Sequence, residues 1–235
     1  MNRIKFLMMK KYFFTAIMFV NCLSLSAQNS DWGLWTSLDA EKKLSKNWEL
    51  GVTGQYRWKD NISVTDQIRG AVDISRKMGK YVKLSAGYEL IAKYKTKKDI
   101  FVYRNRFRLN ATGAYKYARF TASWRTRMQL TLLEKDDTQG AIFENDNYKW
   151  VWRNRFDLKY DIRKTPLKPY FNVELFHQLF GGSEPAYISN RISAGIEYKL
   201  SKHHTLEVGY KLENEIDARK KYRTNVVKLG YIFSF

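Results

Sequence analysis

Seven arginines at alternate positions on three segments are the residues whose type and spacing could do chemistry. They are Arg104, Arg106 and Arg108, then Arg125 and Arg127, then Arg153 and Arg155. Alternate side chains of a β-strand share one face. Neighbours on that face stand about 6.5–7 Å apart, and adjacent strands lie about 4.8 Å apart. On three adjacent strands the arginines would form a dense cationic wall, which attracts anions and must be neutralised or hydrated.

Carboxylates at corresponding positions on other segments could neutralise this wall. They are Glu49, Asp73, Glu89, Asp157, Glu174, Glu197, Glu207 and Glu213. Bidentate arginine–carboxylate pairs across a narrow interior would give a packed polar core that keeps the protein rigid. The alternative is an anion-attracting constriction in a small pore. Truncating one arginine would change ion selectivity in a pore, whereas it would lower stability in a packed core.

The sequence offers little for catalysis or metal binding. Its three histidines are His177, His203 and His204. A lipid-cleaving hydrolase needs a nucleophile, a histidine base and an orienting acid within reach. No His-x-Ser spacing and no histidine pair with metal-ligand geometry occurs. The sequence therefore predicts no catalytic residue, no metal, no cofactor and no enzymatic activity, and a lipid-modifying enzyme is the weakest alternative.

Strands are the elements that must position the arginines and carboxylates. From Trp48 to Trp58, apolar and polar side chains alternate, which puts them on opposite faces of a strand. The segment Val82–Tyr94 repeats the pattern with Ile91 as its one exception, and Phe120–Leu132 continues it. We predict strands at residues 31–43, 48–58, 63–76, 81–94, 101–114, 118–132, 148–160, 169–179, 190–200, 205–213 and 223–235.

The lengths and number of these strands indicate a barrel that crosses a membrane. Membrane-crossing tilted strands need about 9–11 residues, whereas strands of soluble proteins cluster near 5–6. Because single-chain bacterial barrels have an even number of strands, we expect one of the eleven predicted strands to be wrong. Either the tract Asp31–Lys43 is not a full strand, giving ten, or a long loop hides a further strand, giving twelve.

The connections between the predicted strands alternate in length. Short turns are predicted at residues 44–47, 77–80, 115–117 and 201–204, and longer polar loops at 134–147, 180–189 and 214–222. Short turns on one rim and long loops on the other are typical of outer-membrane barrels, and the chain ends on the short-turn rim. We therefore expect the long loops to face outwards.

The apolar faces could point at lipid, or inwards as in a soluble lipocalin-like barrel. Two features favour lipid. Aromatic residues, which make up 16% of the chain, concentrate near strand ends, where they would lie at the two headgroup levels. The polar face mixes glycine and serine with arginine and glutamate, a composition suited to a filled or wet interior. We therefore predict a membrane barrel.

The N-terminus is typical of an export signal. Lys10 and Lys11 precede an apolar run that continues to Ser26-Ala27-Gln28, and the run is too short for a bilayer-spanning helix. We predict a signal peptide at residues 1–27, which is removed, and a barrel domain at 28–235. Cleavage would remove the single cysteine, Cys22, and four cations, lowering the net charge from +19 to +15. The remaining charges are scattered, so nucleic acid is not an expected partner.

The last strand and two basic segments suggest partners. Tyr231, Phe233 and Phe235 belong to an apolar file that resembles the last-strand signal read by the bacterial barrel-assembly machinery. The segments Lys95-Thr96-Lys97-Lys98 and Arg219-Lys220-Lys221-Tyr222-Arg223 lie on the predicted outer rim. They could bind lipopolysaccharide phosphates, or they could simply be solvated loops.

Several short sequences along the chain resemble those of a known family. They are Trp32-Gly33-Leu34-Trp35, Glu41-Lys42-Lys43-Leu44, Ala86-Gly87-Tyr88, Arg153-Asn154-Arg155, Leu167-Lys168-Pro169-Tyr170, Glu174-Leu175-Phe176, Arg191 and Gly209-Tyr210. The family is an outer-membrane β-barrel family of Bacteroidota-type bacteria, catalogued as domain of unknown function 2490. The resemblance covers nearly all of the chain after the signal. It implies fold and location but no activity.

The sequence as a whole predicts an all-β protein, a closed antiparallel up-and-down transmembrane β-barrel of ten to twelve strands in the outer membrane of a Gram-negative bacterium. Two functions stay open: a narrow, porin-like channel for small anionic solutes, or a non-conducting structural barrel with a salt-bridged lumen. In the channel, the seven arginines are the candidate anion-attracting residues. The expected partners are outer-membrane lipid, lipopolysaccharide, the barrel-assembly machinery and an unidentified small solute.

Overall fold

The protein is an all-β barrel in the computed structural model, which describes residues 30–134, 148–180, 186–216 and 221–235. The predicted signal peptide and Cys22 lie outside the described residues. Within them the chain forms eleven strands, confirming the predicted fold class. The strands are β1 (Ser30–Lys43), β2 (Trp48–Lys59), β3 (Val64–Met78), β4 (Val82–Lys95), β5 (Ile100–Tyr117), β6 (Phe120–Leu133), β7 (Tyr148–Tyr160), β8 (Leu167–Phe180), β9 (Ala186–Lys199), β10 (His204–Ile216) and β11 (Lys221–Ser234).

The strands follow one another around a closed barrel in chain order. Each strand from β1 to β10 pairs antiparallel with the next, as in a chain of hairpins. No described segment forms a helix long and apolar enough to cross a membrane.

The barrel closes through a parallel pair, because an odd number of alternating strands leaves β1 and β11 running in the same direction. The Phe235 N–H donates to the Glu41 carbonyl at 2.9 Å, and the Lys43 N–H donates to the Phe235 carbonyl at 3.1 Å. This is the hydrogen-bond pattern of a parallel ladder. Continuing this register along the pair places Gly33 opposite Val226. The two residues are close, since a Cβ built on Gly33 would lie 3.6 Å from Val226 Cγ2. The expectation of an even strand number is therefore wrong, because closure does not require an antiparallel last pair.

The two faces of the barrel are inverted relative to a soluble protein. Large apolar side chains are exposed on the outer face, for example Leu38 at 67% and Leu109 at 64%. Charged side chains are buried on the inner face, with Glu89 exposed at 6% and Glu174 at 5%. The alternation along the strands produces this inversion, because successive side chains point to opposite faces of the sheet.

Polar side chains on the outer face receive hydrogen bonds from neighbouring aromatic residues. The indole N–H of Trp152 donates to Thr126 Oγ1 at 2.7 Å, and that of Trp124 donates to Asn154 Oδ1 at 3.3 Å. The hydroxyl of Tyr88 donates to Asn105 Oδ1 at 2.5 Å. Such pairing lowers the cost of placing polar groups in an apolar medium.

The rim at which β11 ends, here called the terminal rim, carries the connections 44–47, 79–81, 118–119, 161–166 and 200–203. The turn predicted at 115–117 is misplaced, because Tyr117 pairs with Phe120 and the chain reverses at Ala118 and Arg119. On the opposite rim, connections 60–63 and 96–99 are no longer than 44–47. The predicted difference in loop length therefore fails for these connections. Two of the predicted long loops are too long, because residues 186–189 belong to β9, residues 214–216 to β10 and residues 221–222 to β11. The loop predicted at 134–147 lies almost entirely outside the described residues.

Candidate functional site in the barrel interior

The three arginine-bearing segments are the adjacent strands β5, β6 and β7, as the sequence required for a cationic wall. Arg127 is opposite Asn110 on β5 and Arg153 on β7, and Arg125 is opposite Arg155. The wall is therefore densest between β6 and β7, where like charges are cross-strand neighbours. Carboxylates on other strands divide it into groups with different partners.

Glu89 on β4 is the centre of the first group. Its carboxylate lies 3.0 Å from Arg106 Nη1, 3.4 Å from Arg69 Nη1 and 3.6 Å from Arg108 Nη1. Arg108 also pairs with Asp73 on β3 at 2.6 Å. Three guanidinium groups thus converge on one buried carboxylate, which compensates part of the desolvation cost of each of them, while Asp73 supplies a second negative charge to Arg108.

Glu174 on β8 is the centre of the second group. Arg153 Nη2 lies 2.9 Å from Glu174 Oε1, Arg125 Nη2 lies 3.0 Å from the same oxygen, and Arg191 Nη1 lies 4.0 Å from Oε2. Arg191 also forms an ion pair with Glu213 on β10.

Two β6 side chains connect the groups around Glu89 and Glu174. Arg106 Nε donates to Thr131 Oγ1 at 3.0 Å, and Arg153 Nη1 donates to Gln129 Oε1 at 3.0 Å. Gln129 Nε2 donates in turn to Thr131 at 3.5 Å. Polar contacts therefore run across the interior from β3 to β10.

Trp35 on β1 extends these contacts to the remaining side of the barrel. The Arg57 guanidinium lies 3.4 Å from the Trp35 ring centroid, and Lys211 Nζ lies 4.0 Å from it. Arg191 lies over Phe176 at 4.4 Å. These cation–π contacts place aromatic rings among the charges. We call the whole set the central network: Trp35, Arg57, Arg69, Glu89, Arg106, Arg108, Gln129, Thr131, Arg153, Glu174, Phe176, Arg191, Lys211 and Glu213.

Four apolar side chains lie on the inner face beside the central network: Ile91, Val102, Val151 and Val226, all almost completely buried. Ile91, Val151 and Val226 are cross-strand neighbours of the network residues Arg69, Gln129 and Lys211. Ile91 is the residue that broke the alternation in β4, and its burial explains the exception. It faces inwards, where it packs as a core residue, whereas its apolar neighbours in β4 face outwards.

Towards the terminal rim the interior is open. A cavity of about 390 Å³ extends between the central network and this rim, and a second of about 530 Å³ forms its mouth. Glu41 and Glu49 line both. Among the described residues, the interior is thus open from the central network to the terminal rim.

All but one of the remaining predicted interior residues lie around this open part. Arg155 Nε donates to Asp157 Oδ1 at 2.8 Å, and Lys159 Nζ donates to Glu197 Oε1 at 2.5 Å. The other contacts are Lys83 with Glu49 at 3.7 Å, Lys228 with Glu207 at 2.7 Å, and Arg127 Nε donating to Asn110. Arg104 is opposite Ile91 on the inner face of β5, nearer the opposite rim.

At the terminal rim, outside the strands, Asp161 joins β5 to β8. Lys168 Nζ and Lys116 Nζ each lie 3.0 Å from one of its carboxylate oxygens. These hydrogen bonds, from Lys168 first and Lys116 second, lower the pKa of Asp161. The carboxylate is partly exposed, so solvent screens the pairs.

The candidate assembly residues lie at the same rim. The Tyr231 hydroxyl is 2.5 Å from His204 Nδ1, and the rings of Phe233 and Phe235 are 5.1 Å apart. Phe235 also supplies the backbone hydrogen bonds to β1 described above. The terminal phenylalanine thus takes part in closing the barrel.

The other histidines lie on the outer face or at the terminal rim. The His177 ring packs against Trp152 with centroids 5.9 Å apart, and His203 Nδ1 lies 2.5 Å from the Ser234 carbonyl oxygen. Among the described residues, no group of three histidine, cysteine or acidic side chains could hold a metal ion.

Sequence reasoning missed several members of the central network: Trp35, Arg57, Arg69, Phe176, Arg191 and Lys211. The alternation contained the signal for Trp35, because it shares an inner file with Ser37 and Asp39 on β1. A tryptophan in an aromatic-rich chain reads more naturally as a membrane-interface residue, and this hid its inward orientation.

A protein-family model matches residues 32–223 of the chain. The chain belongs to the family described as Protein of unknown function (DUF2490). The family suggested by the sequence resemblance is therefore confirmed, whereas the outer-membrane location and the bacterial group that it implied remain predictions. No curated protein matches the chain. The family description names no activity, so a function has to be argued from the interior of the barrel.

Proposed function

We propose that the protein is an exported outer-membrane barrel without enzymatic activity, and that its lumen is closed in the resting state. The inversion of its two faces supports the membrane location, because a soluble protein would bury Leu38 and Leu109 and expose Glu89 and Glu174. Exposed aromatic residues near both rims, such as Trp48, Tyr117 and Phe180, support it further.

In the membrane, the terminal rim would face the periplasm and the opposite rim the outside. The apolar file of β11, which resembles the signal read by the barrel-assembly machinery, ends at the terminal rim. At the opposite rim, a pocket of about 480 Å³ is lined by Lys59, Lys93, Tyr94 and the segment 95–98. Its lysines suit contact with the phosphates of lipopolysaccharide.

The central network is the observation that carries the closed lumen. Ten of the eleven strands contribute a side chain to it, and Val226 packs on the inner face of the remaining strand, β11. An ion crossing this layer would have to displace buried charge pairs that have no solvent to replace them. The protein would therefore serve as a stable membrane barrel without continuous conduction.

Conductance in planar lipid bilayers tests this proposal. We expect the refolded wild-type protein to give no discrete current steps. The Trp35→Ala variant removes the ring between Arg57 and Lys211, so we expect it to give steps. Such steps would also show that the protein inserts. Trp124→Ala, on the outer face, is the matched control and should stay silent. Discrete steps from the wild type would contradict a closed lumen.

A channel for small anions is the second candidate function. The cavity that reaches the central network from the terminal rim favours it, as does the cationic wall on β6 and β7. A channel predicts wild-type current steps with a reversal potential that indicates anion preference, and Arg125→Gln should reduce that preference.

A further inference from the structure

The open cavity at the terminal rim has two walls of opposite charge. Asp39, Glu41, Glu49 and Asp73 from β1 to β3 line one side, and Arg125, Arg127, Arg155 and Lys159 from β6 and β7 line the other. Asp157 on β7 and Lys83 on β4 also line the cavity, and they pair with Arg155 and Glu49 respectively. In a ring of eleven strands, β6 and β7 are those furthest from β1. The cavity therefore has an electric field across it.

Most of these charges are paired within the protein, but three are not. Arg127 on β6 is half-buried and donates only through Nε, to Asn110. In the described part of the chain, no carboxylate lies within ion-pair distance of its guanidinium. Its two terminal nitrogens make no hydrogen bond with described residues. A cation held in this way still needs an anion or water.

Asp39 and Glu41 on β1 are the two carboxylates of the cavity that form no ion pair with described residues. Asp39 accepts hydrogen bonds from Thr53 at 2.7 Å and Ser37 at 3.0 Å, both neutral donors. Within the described ranges, neither carboxylate has a cation within ion-pair distance. After internal pairing, the cavity thus presents one arginine facing two carboxylates.

We infer that this cavity binds a small zwitterion, with its carboxylate at Arg127 and its ammonium group at Asp39 and Glu41. An anion would satisfy Arg127 but be repelled from the β1 wall, and a cation would do the reverse. A molecule with both charges compensates both walls. The cavity volume of about 390 Å³ suits a small aliphatic molecule with an ammonium group at one end and a carboxylate at the other.

The distance between the charges of the ligand follows from the width of the barrel. Eleven strands about 4.8 Å apart, tilted by about 40°, give a backbone diameter of roughly 22 Å. The side chains of Arg127 and Asp39 take up part of this width. The ligand must therefore separate its charges by several methylene groups.

Isothermal titration calorimetry on the refolded full barrel tests the inference. The probes are 4-aminobutyrate, 6-aminohexanoate and 8-aminooctanoate. Adipate and 1,6-diaminohexane are the matched controls, since they have the same carbon chain as 6-aminohexanoate but two like charges. We expect at least one ω-amino acid to bind at least tenfold more tightly than both controls.

Variants then locate the site. Arg127→Gln and Asp39→Asn should each weaken zwitterion binding tenfold or more, whereas Arg104→Gln, on the inner face nearer the opposite rim, should leave it unchanged. If a neutral variant does not fold, Arg127→Lys and Asp39→Glu retain the charge and should retain measurable binding.

Three results would overturn the inference: adipate or diaminohexane binding as tightly as the zwitterions, no binding of any ω-amino acid at 10 mM, or an equal loss in Arg104→Gln. None depends on whether the lumen conducts, so the bilayer experiment and this one can fail separately.

Discussion

At the scale of single residues, two carboxylates organise the charges of the barrel interior. Glu89 and Glu174 each lie within 4.0 Å of three arginines, and both are almost fully buried. A buried cation without a partner retains its full desolvation cost. Each carboxylate therefore matters more for stability than one surface ion pair would.

Replacing Glu174 by glutamine should destabilise the barrel strongly. The change leaves Arg153 and Arg125 without a carboxylate partner. It also removes one of the two carboxylates near Arg191. Breaking a buried pair in this way costs about 3–5 kcal/mol. Urea unfolding in liposomes would measure the loss. Glu49→Gln is the matched control, because its pair with Lys83 at 3.7 Å is partly exposed and such pairs contribute about 0–1 kcal/mol. Equal losses in both variants would contradict a structural role of the network.

The inner face was largely predictable from the sequence, but the pairings within it were not. Alternation placed Arg106, Arg153 and Glu174 on one face because the period of a strand is local. Which carboxylate meets which arginine depends on the register between strands far apart in sequence, such as Arg125 with Glu174. Trp35 and Ile91 show the second limit, since apolar residues inside a polar lumen cannot be distinguished by type from those facing lipid.

At the scale of elements, the strand tracts were predicted more reliably than their number or their closure. Eleven alternating tracts were visible in the sequence, and the described residues form eleven strands. The general preference for even numbers argued against that count and was misleading. Hairpin pairing is local, whereas the pairing of β1 with β11 joins the two ends of the barrel, so no sequence pattern reports its direction.

A disulfide across the closing pair should form only in the parallel register. The hydrogen bonds of Phe235 place it opposite Lys42, and continuing this register places Ala40 opposite Phe233. In a Cys22→Ser background, Ala40→Cys with Phe233→Cys should therefore cross-link on mild oxidation. The pair Leu38→Cys with Phe233→Cys, displaced by two residues, is the control and should cross-link poorly. The yield is read from gel mobility with and without reductant, and preferential linkage of the displaced pair would contradict the parallel closure.

At the scale of the whole molecule, the barrel interior differs between its middle and its terminal rim. Charge pairs and buried apolar side chains cross the middle of the interior, and a cavity opens from there towards the terminal rim. The packed middle layer supplies rigidity, since filled interiors pack like the core of a soluble protein. The open part retains unpaired charges, because solvent from the terminal rim can hydrate them.

If the outer face contacts lipid, a charged substitution should lower the free energy of unfolding more at the middle of a strand than at its end. Leu109 lies near the middle of β5 and is 64% exposed, so in lipid its side chain would contact the centre of the acyl layer. Leu109→Arg should cost about 2–4 kcal/mol there, while Tyr117→Arg, at the end of the same strand, should cost about 0–1 kcal/mol. On a soluble barrel both positions would be water-exposed, and such substitutions usually stay within about 0.5 kcal/mol. Free energies of unfolding in liposomes measure the difference, and equal tolerance at the two depths would place this face in water.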